Sequence, residues 1–161
     1  MPQIVLFQPQ IPPNTGSIAR TCAATGTQLH LVEPLGFQID DRQLKRAGLD
    51  YWPLVSLLRH TDWSAFADHR VRCGGRLVAL SSHASQLYTS WQFEPDDWLL
   101  FGRETDGLPK DVLASAHIAL TIPMLGAQRP QQPGVRSLNL SVSVGVVLFE
   151  ALRQQKLLTS A

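Results

Sequence analysis

Two short apolar runs, Gln3–Phe7 and Leu29–Val32, enclose a segment with the spacing of a helix. Apolar runs of this length, bounded by turn residues, are typical of buried strands. The pair Pro12-Pro13 predicts an extended loop before the helix, Asn14 is a candidate side-chain cap, and Gly26 suits the end of the helix. Because strand, helix and strand form the repeating unit of parallel sheets, we predict an α/β fold.

The rest of the chain continues this alternation. Further strands are predicted at residues 77–81, at Trp98–Phe101 and at residues 118–122, for about five strands in all. Asp40 and Asp41 can cap a helix that ends at Gly48, and Pro109 can begin a short one. The chain is therefore predicted to form a parallel sheet flanked by helices.

The C-terminal segment leaves two interpretations open. From Leu138 to Val144 apolar and polar residues alternate, which predicts a strand, whereas Val144, Val147 and Leu148 follow helical spacing. The preceding residues 126–134 are rich in Pro and Gln and predict an exposed loop. We find no internal repeat and predict a single domain over residues 1–161.

Size and composition exclude several classes of protein. A chain of 161 residues can bury a core without disulfides or metals, and Cys22 and Cys73 lack metal-ligand spacing. No apolar run has the length of a membrane span and no basic leader precedes the first strand, so we expect a cytoplasmic protein without a metal. The formal net charge of +1 neither supports nor excludes binding to RNA.

Polar turns follow four of the predicted strands, and open α/β sheets bind ligands at such carboxyl ends. They lie at residues 13–16, 80–82, 101–109, and 122–124 together with 136–139. The first turn lacks GxGxxG, and the chain contains neither GxxxxGK[ST] nor GxSxG. These absences argue against a nicotinamide dehydrogenase, a P-loop hydrolase and an α/β-hydrolase.

Three segments within and beside these turns form motifs: Ile11-Pro-Pro-Asn-Thr-Gly-Ser-Ile-Ala-Arg20, Phe101-Gly-Arg-Glu-Thr-Asp-Gly-Leu-Pro109 and Arg136-Ser-Leu-Asn-Leu-Ser141. They resemble the three motifs of the SPOUT RNA methyltransferases and occur in that family's order and spacing. Glu33-Pro-Leu-Gly-Phe37 and Arg46-Ala-Gly-Leu-Asp-Tyr51 resemble the short branch, the tRNA (cytidine/uridine-34)-2′-O-methyltransferases, over nearly the whole chain.

That resemblance implies a fold and a reaction. The family threads its C-terminal part into a deep trefoil knot, an exception to the rule that chains avoid knots, and the segment from Ser137 is then helical. The implied reaction transfers a methyl group from S-adenosylmethionine to the ribose 2′-hydroxyl of nucleotide 34 in the tRNA anticodon region. The implied assembly is a homodimer in which each donor pocket lies against the partner subunit.

The resemblance also implies four catalytic residues. Arg20 is the family's activator of the 2′-hydroxyl, but a guanidinium has no acceptor lone pair, so we expect it to orient the hydroxyl and stabilise the developing oxyanion. Asn14 either caps its helix or fixes Arg20 or the substrate. Glu104 is either a loop carboxylate in solvent or a brace for the donor loop, and Asn139 either begins a helix or contacts the donor and ribose.

Residues for the donor and for RNA follow by the same resemblance. The donor is expected at Leu80, Gly102, Ile122, Met124, Ser137 and Leu138, where glycine at 102 would let the backbone approach the ligand. Phosphates of tRNA are expected at the basic side chains Arg42, Lys45, Arg46 and Arg136. The alternative for the basic face is a solvated helix surface.

Three features depart from the family pattern. Val142 stands where relatives usually carry asparagine, Phe149 where they often carry tyrosine, and about seven extra residues precede Arg136. The first two remove polar groups near the knot or the dimer contact. Two other functions remain open: an RNA-binding module without catalysis, and 2′-O-methylation at another RNA site.

Overall fold

A parallel sheet of seven strands forms the centre of the computed structural model, which describes residues 1–39, 52–128 and 134–158. The strands of these described residues are β1 (Gln3–Phe7), β2 (Leu29–Val32), β3 (Leu57–His60), β4 (Leu77–Leu80), β5 (Gln86–Leu87), β6 (Trp98–Phe101) and β7 (Ile118–Thr121). Their order across the sheet is β3-β2-β1-β6-β4-β7-β5, and every neighbouring pair is parallel.

Helices follow the strands along the chain. They are α1 (Pro12–Thr25), α2 (Trp63–Cys73), α3 (Lys110–Ala114) and α4 (Leu140–Gln154), with 3-10 turns at Trp52–Leu54, Tyr88–Ser90 and Leu125–Gln128. Asp62 caps α2 by accepting a hydrogen bond from the amide of Ala65, at 2.8 Å. Gly26 ends α1 in the left-handed conformation with a φ of 68°.

The sheet is buried on both faces, as its parallel pairing requires. Ile4 and Leu6 of β1 pack into a cluster with α1 and α4, while Val5 and Phe7 pack into a second cluster with α2 and α3. Alternate side chains of one strand therefore pack into opposite layers. Each large apolar side chain that is fully buried stabilises the folded state by about 1.5–3 kcal/mol relative to an exposed one. Cys22 lies in the first cluster, where burial raises the pKa of its thiol to about 12.

Two histidines, His30 and His60, are buried between the sheet and α2. His30 Nδ1 lies 2.9 Å from His60 Nε2, and His30 Nε2 lies 2.7 Å from the side-chain oxygen of Gln3. Because that oxygen only accepts, His30 donates from Nε2 and accepts the Nε2–H of His60 at Nδ1. Burial lowers the pKa of His30 to about 3, with a smaller contribution from the charges of His60 and His69. Both rings pack against Phe66, and His30 also packs against Trp98.

Several predictions of structure are confirmed and others are wrong. The strands at β1, β2 and β6 and the end of α1 lie where the sequence placed them. The predicted loop at Pro12-Pro13 is wrong, because both prolines occupy the first turn of α1, where a missing amide hydrogen costs nothing. The count of five strands is also wrong, because the sequence analysis did not identify β3 and β5.

The ambiguous C-terminal segment is helical, as the resemblance implied, but the helix begins at Leu140 rather than at Ser137; Val144, Val147 and Leu148 of α4 are fully buried. The helix predicted from Asp40 to Gly48 lies outside the described residues, as does most of the Pro/Gln-rich segment. The trefoil knot stays a prediction. In the described ranges, none of the helices combines the length and apolar character that a membrane span needs.

Candidate active site

The carboxyl ends of β1, β4, β6 and β7 meet at one edge of the sheet, because all these strands are parallel. The turns that follow them were singled out in the sequence, and the sheet order now places the turns after β1 and β6 side by side. Both turns carry side chains that reach across to each other. This edge is the candidate active site.

A hydrogen-bond network joins the three sequence motifs at this edge. The side-chain nitrogen of Asn14, Nδ2, donates to Glu104 Oε1 at 3.2 Å, and Asn139 Nδ2 donates to Asn14 Oδ1 at 2.9 Å. These partners are 90 and 125 residues apart in the chain. Asn14 is 7% exposed, so the bonds at the centre of the network are shielded from water. We call Glu104, Asn14 and Asn139 the polar network.

Glu104 binds the start of α1 rather than lying free in solvent. Its carboxylate accepts hydrogen bonds from the backbone amides of Gln10, at 2.8 Å, and Ile11, at 3.2 Å. A carboxylate at the N-terminus of a helix interacts favourably with the helix dipole and with amides that have no partner inside the helix. Glu104 therefore fixes the turn after β6 to the turn after β1.

The predicted cap at Asn14 is wrong. The helix begins two residues earlier, Ile11 occupies the N-cap position, and no side chain caps it from that position. Asn14 is consequently inside the first turn, where its side chain is free to bond to both other members of the polar network. The cap role belongs to Asn139, whose Oδ1 accepts from the backbone amide of Ser141 at 2.9 Å and begins α4.

The structure requires glycine at position 102 for the packing of the turn, whereas the sequence analysis expected glycine there to let the backbone approach the donor. A Cβ at this position would collide with the backbone of Gly107 and Leu108. The turn closes on itself through two backbone hydrogen bonds between Arg103 and Gly107, and Gly107 has a φ of 72°. Gly102 therefore lets the turn fold against its own chain, and this packing holds Glu104 towards α1.

Arg103 and Asp106 form an ion pair inside this turn that the sequence analysis did not single out. Two guanidinium nitrogens of Arg103 each lie 2.6 Å from an oxygen of Asp106, and a third donates to the side-chain oxygen of Gln8 at 2.7 Å. The hydrogen bonds from Arg103 lower the pKa of Asp106, and those to Asp106 raise the pKa of Arg103. Arg103 and Asp106 carry opposite charges three residues apart, and this spacing in the sequence could have indicated the ion pair.

Arg20 is exposed on α1, six residues after Asn14. At the rise of an α-helix, six residues correspond to about 9 Å along the axis. The helix therefore presents a guanidinium at the surface and anchors its own first turn to the polar network. The helix α1 therefore carries both Arg20 and Asn14.

The residues expected to hold the donor lie around the same sheet edge. Leu80 ends β4, Ile122 and Met124 follow β7, and all three are half-buried, whereas Ser137 and Leu138 are exposed just before α4. The amide of Ser81 donates to the carbonyl of Leu120 at 2.9 Å, which ties the ends of β4 and β7 together. Among the residues expected at RNA, Arg136 is exposed, and Arg42, Lys45 and Arg46 lie outside the described ranges.

Comparison with known proteins agrees with this geometry. Residues 1–149 match the SpoU rRNA Methylase family. The chain belongs to this family. A tRNA (cytidine(34)-2'-O)-methyltransferase of Polaromonas sp. (strain JS666) is 49% identical over 151 residues, which cover 94% of this chain and 89% of that protein.

Solved structures of family members extend the agreement to the fold. One, described under the heading "Structural insights into the 2-OH methylation of C/U34 on tRNA", is 47% identical and superposes with a TM-score of 0.89, covering 97% of each chain. An AdoMet-bound rRNA methyltransferase from Sinorhizobium meliloti is 27% identical with a TM-score of 0.84, covering 99% of this chain and 57% of that one. The predicted α/β class and the predicted family are confirmed.

Proposed function

We propose that this chain transfers a methyl group from S-adenosylmethionine to the ribose 2′-hydroxyl of nucleotide 34 in tRNA, a cytidine or uridine derivative. The observation that carries the proposal is the polar network, which joins all three family motifs at one edge of the sheet. The relative from Polaromonas, named for this reaction, supports the choice of substrate. The tRNA substrate makes the cytoplasm the compartment that we propose.

The half-buried apolar side chains at the ends of adjacent strands fit the donor. Leu80, Ile122 and Met124 offer apolar surface for an adenine ring, and Ser137 offers a hydroxyl near the start of α4. A ligand site of this kind combines an apolar lining with a few polar groups that fix orientation. S-adenosylmethionine, when bound there, supplies a methyl group on a positively charged sulfur.

Positioning is the main work of the protein residues in this reaction. The hydroxyl oxygen forms the new bond to the methyl carbon as the carbon–sulfur bond breaks, so the three atoms have to lie in line. The polar network fixes the first turn of α1, and the rigid helix carries Arg20 at a set distance from it. Asn14, Glu104 and Asn139 are therefore positioning residues for Arg20 and for the turn after β6.

Arg20 acts on the ribose hydroxyl through its N–H donors. A guanidinium stays protonated and has no lone pair, so it cannot take the hydroxyl proton itself. It can hold the hydroxyl oxygen and stabilise negative charge that develops on it, while a phosphate oxygen of the substrate receives the proton. Removing one such donor typically lowers turnover about 10²–10³-fold.

We also propose that two copies of the chain associate through α4. Val142 and Phe149 are 49% and 46% exposed, and their spacing of seven residues places them on one side of α4. Because both side chains are apolar and exposed, this side of α4 suits contact with the same side of a second copy. Sedimentation should give a dimer, and Phe149→Asp should shift the protein to a monomer; a wild-type monomer would contradict the proposal.

Methyl transfer from labelled donor to purified tRNA tests the function. We expect one methylated ribose at nucleotide 34, and Arg20→Ala should lower turnover about 10²-fold or more without weakening donor binding. Arg72→Ala is the matched control, because Arg72 is also an exposed helix arginine but lies on α2. Methylation at a different nucleotide would correct the substrate, and tRNA binding without any donor binding would indicate a non-catalytic RNA-binding module.

A further inference from the structure

A cleft of about 350 Å³ lies beside the polar network at the carboxyl ends of β1, β2 and β6. It is lined by Gln8, Gln10, Pro34, Leu35, Gly36, Arg103, Thr105 and Asp106. The residues expected to hold the donor are not among them. Its volume lies within the range of about 300–1,000 Å³ that small-molecule sites occupy.

The sheet topology makes this a favoured place for a ligand. Strand β1 has β2 on one side and β6 on the other. After β1 the chain adds β2 and β3 on one side of it, and it then forms β4 to β7 on the other side. Ligands of open parallel sheets bind outside the strand ends where the order reverses in this way. Gln8 follows β1 and Arg103 follows β6, so the cleft opens at that reversal.

The charges in the cleft cancel. Arg103 is the cation of the lining and Asp106 the anion, and they are bonded to each other through two contacts of 2.6 Å. A phosphate or carboxylate ligand would need an Arg or Lys not already paired in this way. The cleft therefore fits an uncharged polar group rather than a phosphate of the RNA backbone.

Two glutamine amides are held with their donors available. The side-chain oxygen of Gln8 accepts from Arg103 at 2.7 Å, and that of Gln10 accepts from the Thr105 hydroxyl at 2.8 Å. These bonds fix each carboxamide by its oxygen, and neither amide nitrogen has a hydrogen-bond partner in the part of the chain that the structure describes. Gln8 has a φ of 48°, a conformation that residues other than glycine seldom adopt and that is concentrated at functional sites.

We propose that this cleft holds the pyrimidine base of the nucleotide whose ribose is methylated. The base is planar and uncharged, Pro34 and Leu35 offer apolar surface to its face, and its 2-keto oxygen accepts hydrogen bonds from the amides of Gln8 and Gln10. On the Watson–Crick edge, cytosine and uracil share that oxygen, whereas adenine carries only a C–H group at the corresponding position and guanine carries an amino donor. Gln8 and Gln10 are thus specificity residues for the proposed function, on which this inference rests.

Thr105 and Arg103 connect the cleft to the reaction site. Both flank Glu104, which faces the polar network while its neighbours face the cleft. The backbone amide of Gln10 also bonds to Glu104, at 2.8 Å. The turn that carries Gln8 and Gln10 leads directly into α1, which carries Arg20, so a base in the cleft and a ribose at Arg20 contact one continuous segment of the chain.

The test changes donor to acceptor at nearly constant shape. Gln10→Glu keeps the oxygen that accepts from Thr105 but replaces the amide nitrogen by a carboxylate oxygen, and Gln8→Glu does the same beside Arg103. Gln92→Glu is the control, because it adds the same charge at an exposed position outside the cleft. Each variant is compared on full-length tRNA with cytidine at nucleotide 34 and on the same tRNA with an abasic ribose there.

We expect Gln10→Glu and Gln8→Glu to lower kcat/KM on the cytidine substrate by about tenfold or more, the usual effect of a lost base contact. On the abasic substrate they should differ from wild type by less than about twofold, because the contact that they disturb is absent. An equal loss on both substrates, or no loss on cytidine, overturns the proposal.

Failure of the proposed function is distinguishable from failure of the cleft. If wild-type protein methylates neither tRNA, the proposed reaction is wrong, and the dissociation constants of the same tRNAs still test the cleft. The base-dependent loss should then appear as a tenfold weaker binding of the cytidine tRNA by Gln10→Glu, and its absence overturns the inference.

Discussion

Replacing Asn14 by Asp tests whether the polar network holds the site together. The change keeps the size of the side chain and the acceptor for Asn139 Nδ2, but it places a second carboxylate against Glu104. The two oxygens would lie at the 3.2 Å that now separates donor and acceptor. An attractive hydrogen bond is thereby exchanged for repulsion between like charges.

The magnitude follows from that distance. Two unit charges 3.2 Å apart repel by about 1 kcal/mol in water and by about 5 kcal/mol at the effective dielectric constant of a partly buried site. Asn14 is 7% exposed, so the pair lies between these limits. Together with the lost hydrogen bond to a charged acceptor, we expect Asn14→Asp to lower the free energy of unfolding by about 2–4 kcal/mol at pH 7.

Urea unfolding followed by circular dichroism measures this loss, and a second substitution checks its cause. Glu104→Gln in the Asn14→Asp protein restores a donor opposite the new carboxylate and should recover at least about half of the loss. The loss should also shrink at acidic pH, where a proton bound by either carboxylate removes the repulsion. If Asn14→Asp is as stable as wild type, or Glu104→Gln recovers nothing, the network does not carry the energy assigned to it.

Two further predictions concern other parts of the molecule. The free energy of unfolding should fall as the pH drops from 6.5 towards about 3, because the unfolded chain binds a proton at His30 that the buried ring excludes. Urea midpoints between about pH 7.5 and 4.5 measure this, and His30→Gln should flatten the slope while His83→Gln, at an exposed position, should not. Gly102→Ala should weaken donor binding about tenfold or more in calorimetry, because the new methyl group displaces the Gly107–Leu108 backbone. Unchanged affinity in a folded Gly102→Ala protein would show that this turn does not shape the donor site.

The sequence by itself determined the elements whose burial pattern is local. Strands β1, β2 and β6 are short apolar runs bounded by turn residues, and Gly26 ends α1 because a left-handed residue there favours glycine. Strand β5 has only two residues and β3 lies at the sheet edge, so neither carries a strong apolar signal. The three motifs were also legible, since their order along the chain is itself sequence information.

Only the tertiary structure decided which side chains meet. Asn14 reads as a helix cap in isolation. It is the centre of a network because the sheet order brings Glu104 to it from 90 residues away, and the packing of α4 against α1 brings Asn139 to it from 125 residues away. Local alternation could not settle whether the segment from Leu138 is a strand, whereas burial of Val144, Val147 and Leu148 against the sheet favours a helix. Contacts between distant residues depend on strand order, which no local spacing encodes. The roles of the site residues therefore follow from packing, and their chemistry from the residue types that the sequence supplies.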